Sequence, residues 1–204
     1  WFSDDQPSWS SDSNEIYFVS NRNDELGTHR HDYSNINAEK GPDVDWEQTD
    51  IFKIDLETLD ITRLTNTPYN ESYPCVSKEN NTVAYIADKN GVGNIFLMSL
   101  EKEISSRPIT NVLTGITQLN WNWNDRQLIF TGFNNSGYDV YILQSPLDLL
   151  DVDLEYVDAS WKGKAIVPDV QSGNSSPRKE VVSDDKYKNF IFFDIAHTDT
   201  SRSR

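Results

Sequence analysis

Hydrophobic positions in this chain come in short runs of four to six residues, separated by clusters of Asn, Asp, Ser and Gly. The clearest stretch runs from Gln118 to Leu143, QLNWNWNDRQLIFTGFNNSGYDVYIL. It holds two apolar runs, LIFTG and DVYIL, joined by an Asn-Asn-Ser-Gly turn, with a Trp-containing run before them that ends at Asn124-Asp125. Runs this short, rich in aromatic and β-branched residues and bounded by turn formers, predict antiparallel hairpins.

The unit occurs three times. Gln6 to Phe18, Tyr73 to Tyr85 and Gln118 to Phe130 align without gaps. The alignment places Trp9, Val76 and Trp121 at one position, Ile16, Val83 and Leu128 at another, and Phe18, Tyr85 and Phe130 at a third. Polar turns fall between them at Ser11-Asp12-Ser13-Asn14, Lys78-Glu79-Asn80-Asn81 and Trp123-Asn124-Asp125-Arg126. A later strand repeats as DIFKI from Asp50, NIFLM from Asn94 and DVYIL from Asp139. An Asx residue stands ahead of each, and its short side chain can cap nearby backbone N–H groups. ITRLT from Ile61 and, more faintly, RPIT from Arg107 supply a further strand.

Val76 to Trp121 is a step of 45 residues and Trp9 to Val76 a step of 67, so the first unit carries 22 extra residues, an insertion at about 24–48. Four short strands on a repeat of about 40–45 residues is the blade of a β-propeller. The expected fold is therefore all-β: three four-stranded blades of an incomplete propeller at about 6–65, 70–110 and 115–143, followed by a mostly extended tail. Rings of this kind hold four to eight blades. Closure then needs more blades, from a longer parent chain or from another molecule. The abrupt start on WFSDDQPSWS, with no charged-then-apolar leader, fits a piece of a larger protein. Residues 144–204 read as an acidic linker and tail. Ser145 to Asp158 suits an extended segment or a short helix after Pro146, QSGNSSPRKE has linker composition, and YKNFIFFDIA at 187–196 suits a strand.

The segments PSWSSDSNEIYFVSNRN, TDIFKIDLETLDITRLT and GYDVYIL resemble the TolB-type (WD-type) propeller repeat, over about 140 residues. Two departures stand out: Ser13 replaces the turn glycine, and Val76 replaces the repeat's tryptophan. The third copy is similar to the last blades of bacterial proteins in which such a propeller precedes an outer-membrane β-barrel of the surface-antigen kind. The resemblance implies a periplasmic or outer-membrane location, and 187–196 as the entry to a following domain.

Composition narrows the function. A net charge of -15 and a pI near 4.4 exclude nucleic acid, whose phosphates require basic clusters. The lone Cys75 excludes an internal disulfide. Similar blades precede prolyl-oligopeptidase-type catalytic domains, but those carry their serine in G-x-S-x-G, and no such motif occurs here. No catalytic residue is assigned. The insertion holds His29-x-His31, which can chelate zinc or nickel from one side of a strand, and Asp43-x-Asp45 with Glu47, which could gather oxygens for calcium. The preferred reading is a solvated acidic loop without a cofactor. Trp9 and Trp121, at the repeat's structural position, are expected to pack between blades. Trp46, Trp123 and Tyr33 lie in polar loops and are the candidates for anchoring a partner. Asn134-Asn135-Ser136 fits a glycan acceptor but is read as turn chemistry. The expected function is a non-catalytic scaffold for a protein or peptide partner. The alternatives are an accessory propeller of a serine peptidase and a carbohydrate- or metal-binding propeller.

Overall fold

The computed structural model describes residues 2–22, 48–79, 81–101, 105–134, 136–152, 154–159 and 162. The insertion and the 187–196 segment lie outside them. Eleven strands are described. Blade 1 consists of β1 (Asp4–Trp9), β2 (Glu15–Ser20), β3 (Asp50–Asp55) and β4 (Ile61–Arg63). Blade 2 consists of β5 (Glu71–Val76), β6 (Thr82–Ala87), β7 (Asn94–Ser99) and β8 (Ser105–Pro108). Blade 3 consists of β9 (Ile116–Trp121), β10 (Gln127–Asn134) and β11 (Gly137–Gln144). Each sheet is an antiparallel meander in chain order, as blades of a propeller require. Ser13, standing where the resembled repeat has glycine, takes the left-handed conformation a glycine would, at φ 61°.

The core lies between blades rather than within them, because every strand has a side chain on each face. Tyr17 and Ile51 of blade 1 meet Val83, Tyr85, Phe96 and Met98 of blade 2 in one cluster. Ala84, Ile86, Ile95 and Leu97, on the opposite face of blade 2, meet Leu119, Leu128 and Leu143 of blade 3 in another. Blade 2 is therefore buried on both sides, and every residue of β6 is buried.

The Asx and Thr signals of the repeat form one bonded unit. Asn94, fully buried, accepts hydrogen bonds from the Val112 N–H (2.8 Å) and the Thr110 hydroxyl (3.1 Å), and donates to Asn90 and the Val92 carbonyl. Thr110 in turn accepts from the Ile95 N–H at 2.8 Å. Blade 1 repeats the design: Asp50 accepts from the Thr67 N–H at 3.1 Å and from Arg63 at 2.5 Å, and Thr65 caps the Ile51 N–H at 2.8 Å. The expected Asx capping is thus present in blades 1 and 2, directed at the loop that follows the blade's outermost strand, whereas Asp139 of blade 3 is exposed. Asn94→Ala strands a buried backbone donor and a hydroxyl, so a loss of about 2 kcal/mol in denaturant unfolding is expected. A loss under about 0.5 kcal/mol, the ordinary range for surface changes, would show that the unit does not hold the blade.

Blade 3 differs from the four-stranded expectation, holding three strands among the described residues. After β11, Ser145 turns left-handed at φ 45° and Pro146 opens a 3₁₀ helix, Pro146–Asp151. Leu147, Leu149 and Leu150 of that helix pack onto the cluster between blades 2 and 3. The chain then runs along the outer edge of blade 2. Arg107 donates to the Leu150 carbonyl, Asn111 to that of Glu155 and Asn90 to that of Val157. Tyr156 meets Phe96 edge-on at 5.8 Å, in the cluster between blades 1 and 2. The acidic segment is therefore a strap across both inter-blade seams, which explains its alternating leucines.

The expectation that Trp9 and Trp121 both pack between blades holds for one of them. Trp121 is partly buried on blade 2 and donates its indole N–H to the Cys75 carbonyl at 3.1 Å. Trp9 is 60% exposed, because no blade lies on its side of blade 1 among the described residues.

Candidate functional site

The three strands that begin the blades, β1, β5 and β9, each sit at an edge of their sheet. They stand side by side and wall a cavity of about 190 Å³, lined by Gln6, Pro7, Ser8, Tyr73, Pro74, Cys75, Leu119 and Asn120. Each strand carries a β-bulge at the same repeat position. The pairing skips a residue between Asp5 and Ser8 on β1, between Ser72 and Cys75 on β5, and between Thr117 and Leu119 on β9.

At each bulge a residue other than glycine is held left-handed: Gln6 at φ 54°, Tyr73 at 52° and Gln118 at 55°. Each such residue costs on the order of 1–3 kcal/mol, and persists only where the surroundings enforce it. Bulges re-aim side chains and end regular pairing, and they gather beside functional sites. Pro7 and Pro74 follow the first two, so the bulges there leave no N–H unpaired. The Gln6 side-chain carbonyl accepts the Tyr73 N–H at 2.6 Å and ties the bulges of blades 1 and 2 together. The Gln118 side chain accepts from the Thr131 hydroxyl at 3.1 Å.

This wall offers backbone polar groups on three adjacent edges, with small side chains and prolines between them. Such an arrangement can bind an extended peptide through its main chain. Cys75, in the cavity lining, is 5% exposed, and burial pushes its thiol well above the usual range. A second buried polar group lies behind the wall at the foot of β5. Glu71 is fully buried, hydrogen-bonded by the Thr65 and Thr67 hydroxyls, and its carboxyl is pushed up to about 7, chiefly by burial.

The residues singled out from the sequence fall elsewhere. Trp123 lies in the turn between β9 and β10, 79% exposed and away from the cavity lining. Two residues on, Asp125 is 4% exposed and accepts from the backbone N–H groups of Lys78 (2.8 Å) and Glu79 (2.7 Å). That turn therefore clamps blade 3 to blade 2. His29, His31, Tyr33, Asp43, Asp45, Trp46 and Glu47 lie outside the described residues. Among the described residues no group of three or more His, Cys, Asp or Glu is placed to hold a metal, and no helix is long and apolar enough to cross a membrane. Sequence reasoning missed Gln6, Tyr73 and Gln118. The available signal was their shared position, three residues ahead of Trp9, Val76 and Trp121, with proline following two of them.

No protein-family model matches the chain, and a search of curated proteins finds no match. Solved structures do match. TolB from Acinetobacter baumannii is similar with a TM-score of 0.51 at 15% identity, over 69% of this chain and 29% of that one. The putative TolB from Agrobacterium tumefaciens is similar with a TM-score of 0.54 at 14% identity, over 71% of this chain and 46% of that one. The chain thus spans less than half the length of either. At such identities the likeness establishes the fold alone: the chain is made of β-propeller blades, similar in arrangement to those of these TolB structures.

Proposed function

We propose that this chain is a non-catalytic β-propeller scaffold that binds a protein or peptide partner along its inner strands, in the periplasm or at the outer membrane. The observation that carries this reading is the wall of three edge strands, each with a bulge and a left-handed residue at the same repeat position. Strain repeated three times at one surface, on edges that present main-chain polar groups, supports binding there. The TolB-like fold supports the location, and the resemblance of the third blade to propellers that precede outer-membrane barrels supports membrane proximity. Tyr33 and Trp46 of the insertion are further candidates for anchoring that partner.

Random-peptide display on the purified chain tests the proposal. Selected peptides are expected to stay intact on incubation and to bind Ser8→Trp, which fills the cavity, at least about tenfold more weakly at an unchanged melting temperature. Equal binding to Ser8→Trp would remove the inner strands from the role, and cleavage of the peptide would remove the non-catalytic assignment.

A further inference from the structure

The bulges orient two glutamines. Gln6 faces the Tyr73 backbone N–H at 2.6 Å, and an N–H only donates, so the end of the amide turned to it is the oxygen. The nitrogen end is thereby turned away. It carries two hydrogens, has no hydrogen-bond partner among the described residues, and is open to solvent. At the same repeat position of blade 3, the Gln118 amide oxygen accepts from the Thr131 hydroxyl at 3.1 Å and leaves its nitrogen likewise without a partner among the described residues. A free surface glutamine offers a ligand either end of its amide. These two offer a donor, and their held oxygens leave less side-chain freedom to lose on binding.

The cavity beside Gln6 sets the size of what it takes. Its volume of about 190 Å³ lies below the roughly 300 Å³ at which small-molecule sites begin, and is comparable with the roughly 150 Å³ that hold a benzene ring. One apolar side chain of a larger ligand fits it, against Pro7, Pro74, Cys75 and Leu119. Charge sets the sign of that ligand. None of the eight residues lining the cavity is charged, and the three inner strands, DDQPSW, ESYPCV and ITQLNW, contain no lysine or arginine. Asp5 lies exposed beside Gln6, and the whole chain carries a charge of -15. This edge repels an acidic ligand and draws a basic one.

We propose that Gln6 and Gln118 are the recognition residues of the groove, their amide nitrogens donating to main-chain carbonyl oxygens of an extended basic peptide that places one apolar side chain in the cavity. This recognition presupposes the peptide-binding role proposed above, and adds to it the groups that make the contact and the charge of the partner. Main-chain carbonyls recur along any extended peptide, so two fixed donors select the extended conformation rather than a particular sequence. Sequence preference then comes from the cavity, which takes the one apolar side chain, and from the acidic edge, which favours lysine and arginine around it.

Fluorescence anisotropy of the full chain with the labelled peptide KSKLKSK tests this. KSKLKSK is expected to bind and ESELESE not to, and glycine in place of the leucine is expected to weaken binding about tenfold. Gln6→Glu isolates the amide. The carboxylate keeps an acceptor for the Tyr73 N–H, so the bulge stands at an unchanged melting temperature, while the donor is lost. Binding of KSKLKSK is expected to weaken about tenfold, although the added negative charge by itself attracts a basic peptide. Gln118→Glu, at an exposed position, repeats the test in blade 3 with the same expected sign. Equal or tighter binding to either variant overturns the proposal, because charge alone would then hold the ligand. Absence of binding by KSKLKSK, or binding of ESELESE as tight, also overturns it. Display-selected peptides that lose binding to Ser8→Trp yet bind Gln6→Glu unchanged overturn this recognition and leave the broader peptide-binding role standing.

Discussion

Glu71→Gln is expected to stabilise the protein by on the order of 3 kcal/mol at pH 8 and to leave it unchanged at pH 4. Glu71 is completely buried at the start of β5, where Asp50, itself 3% exposed, faces it from β3. Asp50 is paired with Arg63 at 2.5 Å. Tyr69 and Tyr85 are the other titratable neighbours, and both phenols are raised in part by the charge on Glu71. Burial raises the carboxyl from its ordinary 4.5 to about 7. An acid raised on folding contributes stability that is complete below the unfolded value near 4.5 and is lost as pH rises through 7.

The hydroxyls of Thr65 and Thr67 donate to Glu71 and oppose the effect of burial without cancelling it. The Thr67 hydroxyl has one hydrogen for two acceptors, the Tyr69 carbonyl at 3.0 Å and Glu71 at 3.3 Å, so it satisfies the buried carboxyl only in part. A glutamine amide keeps an acceptor oxygen for these hydroxyls and carries no charge to bury. Denaturant unfolding of both proteins at pH 4, 6 and 8 is the check. A stability difference that does not change with pH would show that Glu71 does not titrate in this window.

Arg22→Ala is expected to destabilise the protein by about 3 kcal/mol, and Arg22→Lys by about 2. Arg22 is 5% exposed, with its guanidinium 4.3 Å from the ring centre of Phe2, 5.4 Å from Phe18 and 5.5 Å from Phe52. It bonds Asp4 at 2.5 Å and the Ser20 hydroxyl at 3.0 Å. One planar cation thereby ties β1 to the end of β2 and seals part of one face of blade 1. Asp4 is half-exposed, so little of the effect is the ion pair itself. Most of it is the stacked, desolvated plane over three rings. Lysine keeps the charge and loses the plane. A midpoint for Arg22→Lys indistinguishable from wild type would show that charge alone suffices.

The strand repeat was legible because alternation and turn chemistry are local. DIFKI, NIFLM and DVYIL announce the same strand whatever lies beside it, and the Asx residue ahead of it and the later Thr satisfy backbone groups of the same blade. The groove was not legible in this way. Gln6, Tyr73 and Gln118 share no side-chain chemistry, because what their position demands is a backbone conformation, and three different side chains tolerate it. Trp123 drew notice as an aromatic in a polar turn, whereas the residue that joins two blades there is its neighbour Asp125.

The sequence by itself determined the blades: their strands, their order, their shared frame, and the acidic net charge. Tertiary structure alone decided what each repeated position does. Trp9 and Trp121 are the same residue at the same place in the repeat, yet one is seated on a carbonyl and the other is 60% exposed. Glu71 stands one repeat step from Asp4, yet it is fully buried and bonded by threonine hydroxyls, while Asp4 is half-exposed and pairs with Arg22. Periodicity specifies which side chains share a face. Burial, and the energy that comes with it, depends on which neighbouring sheet covers that face, and that is set by contacts far apart in the chain.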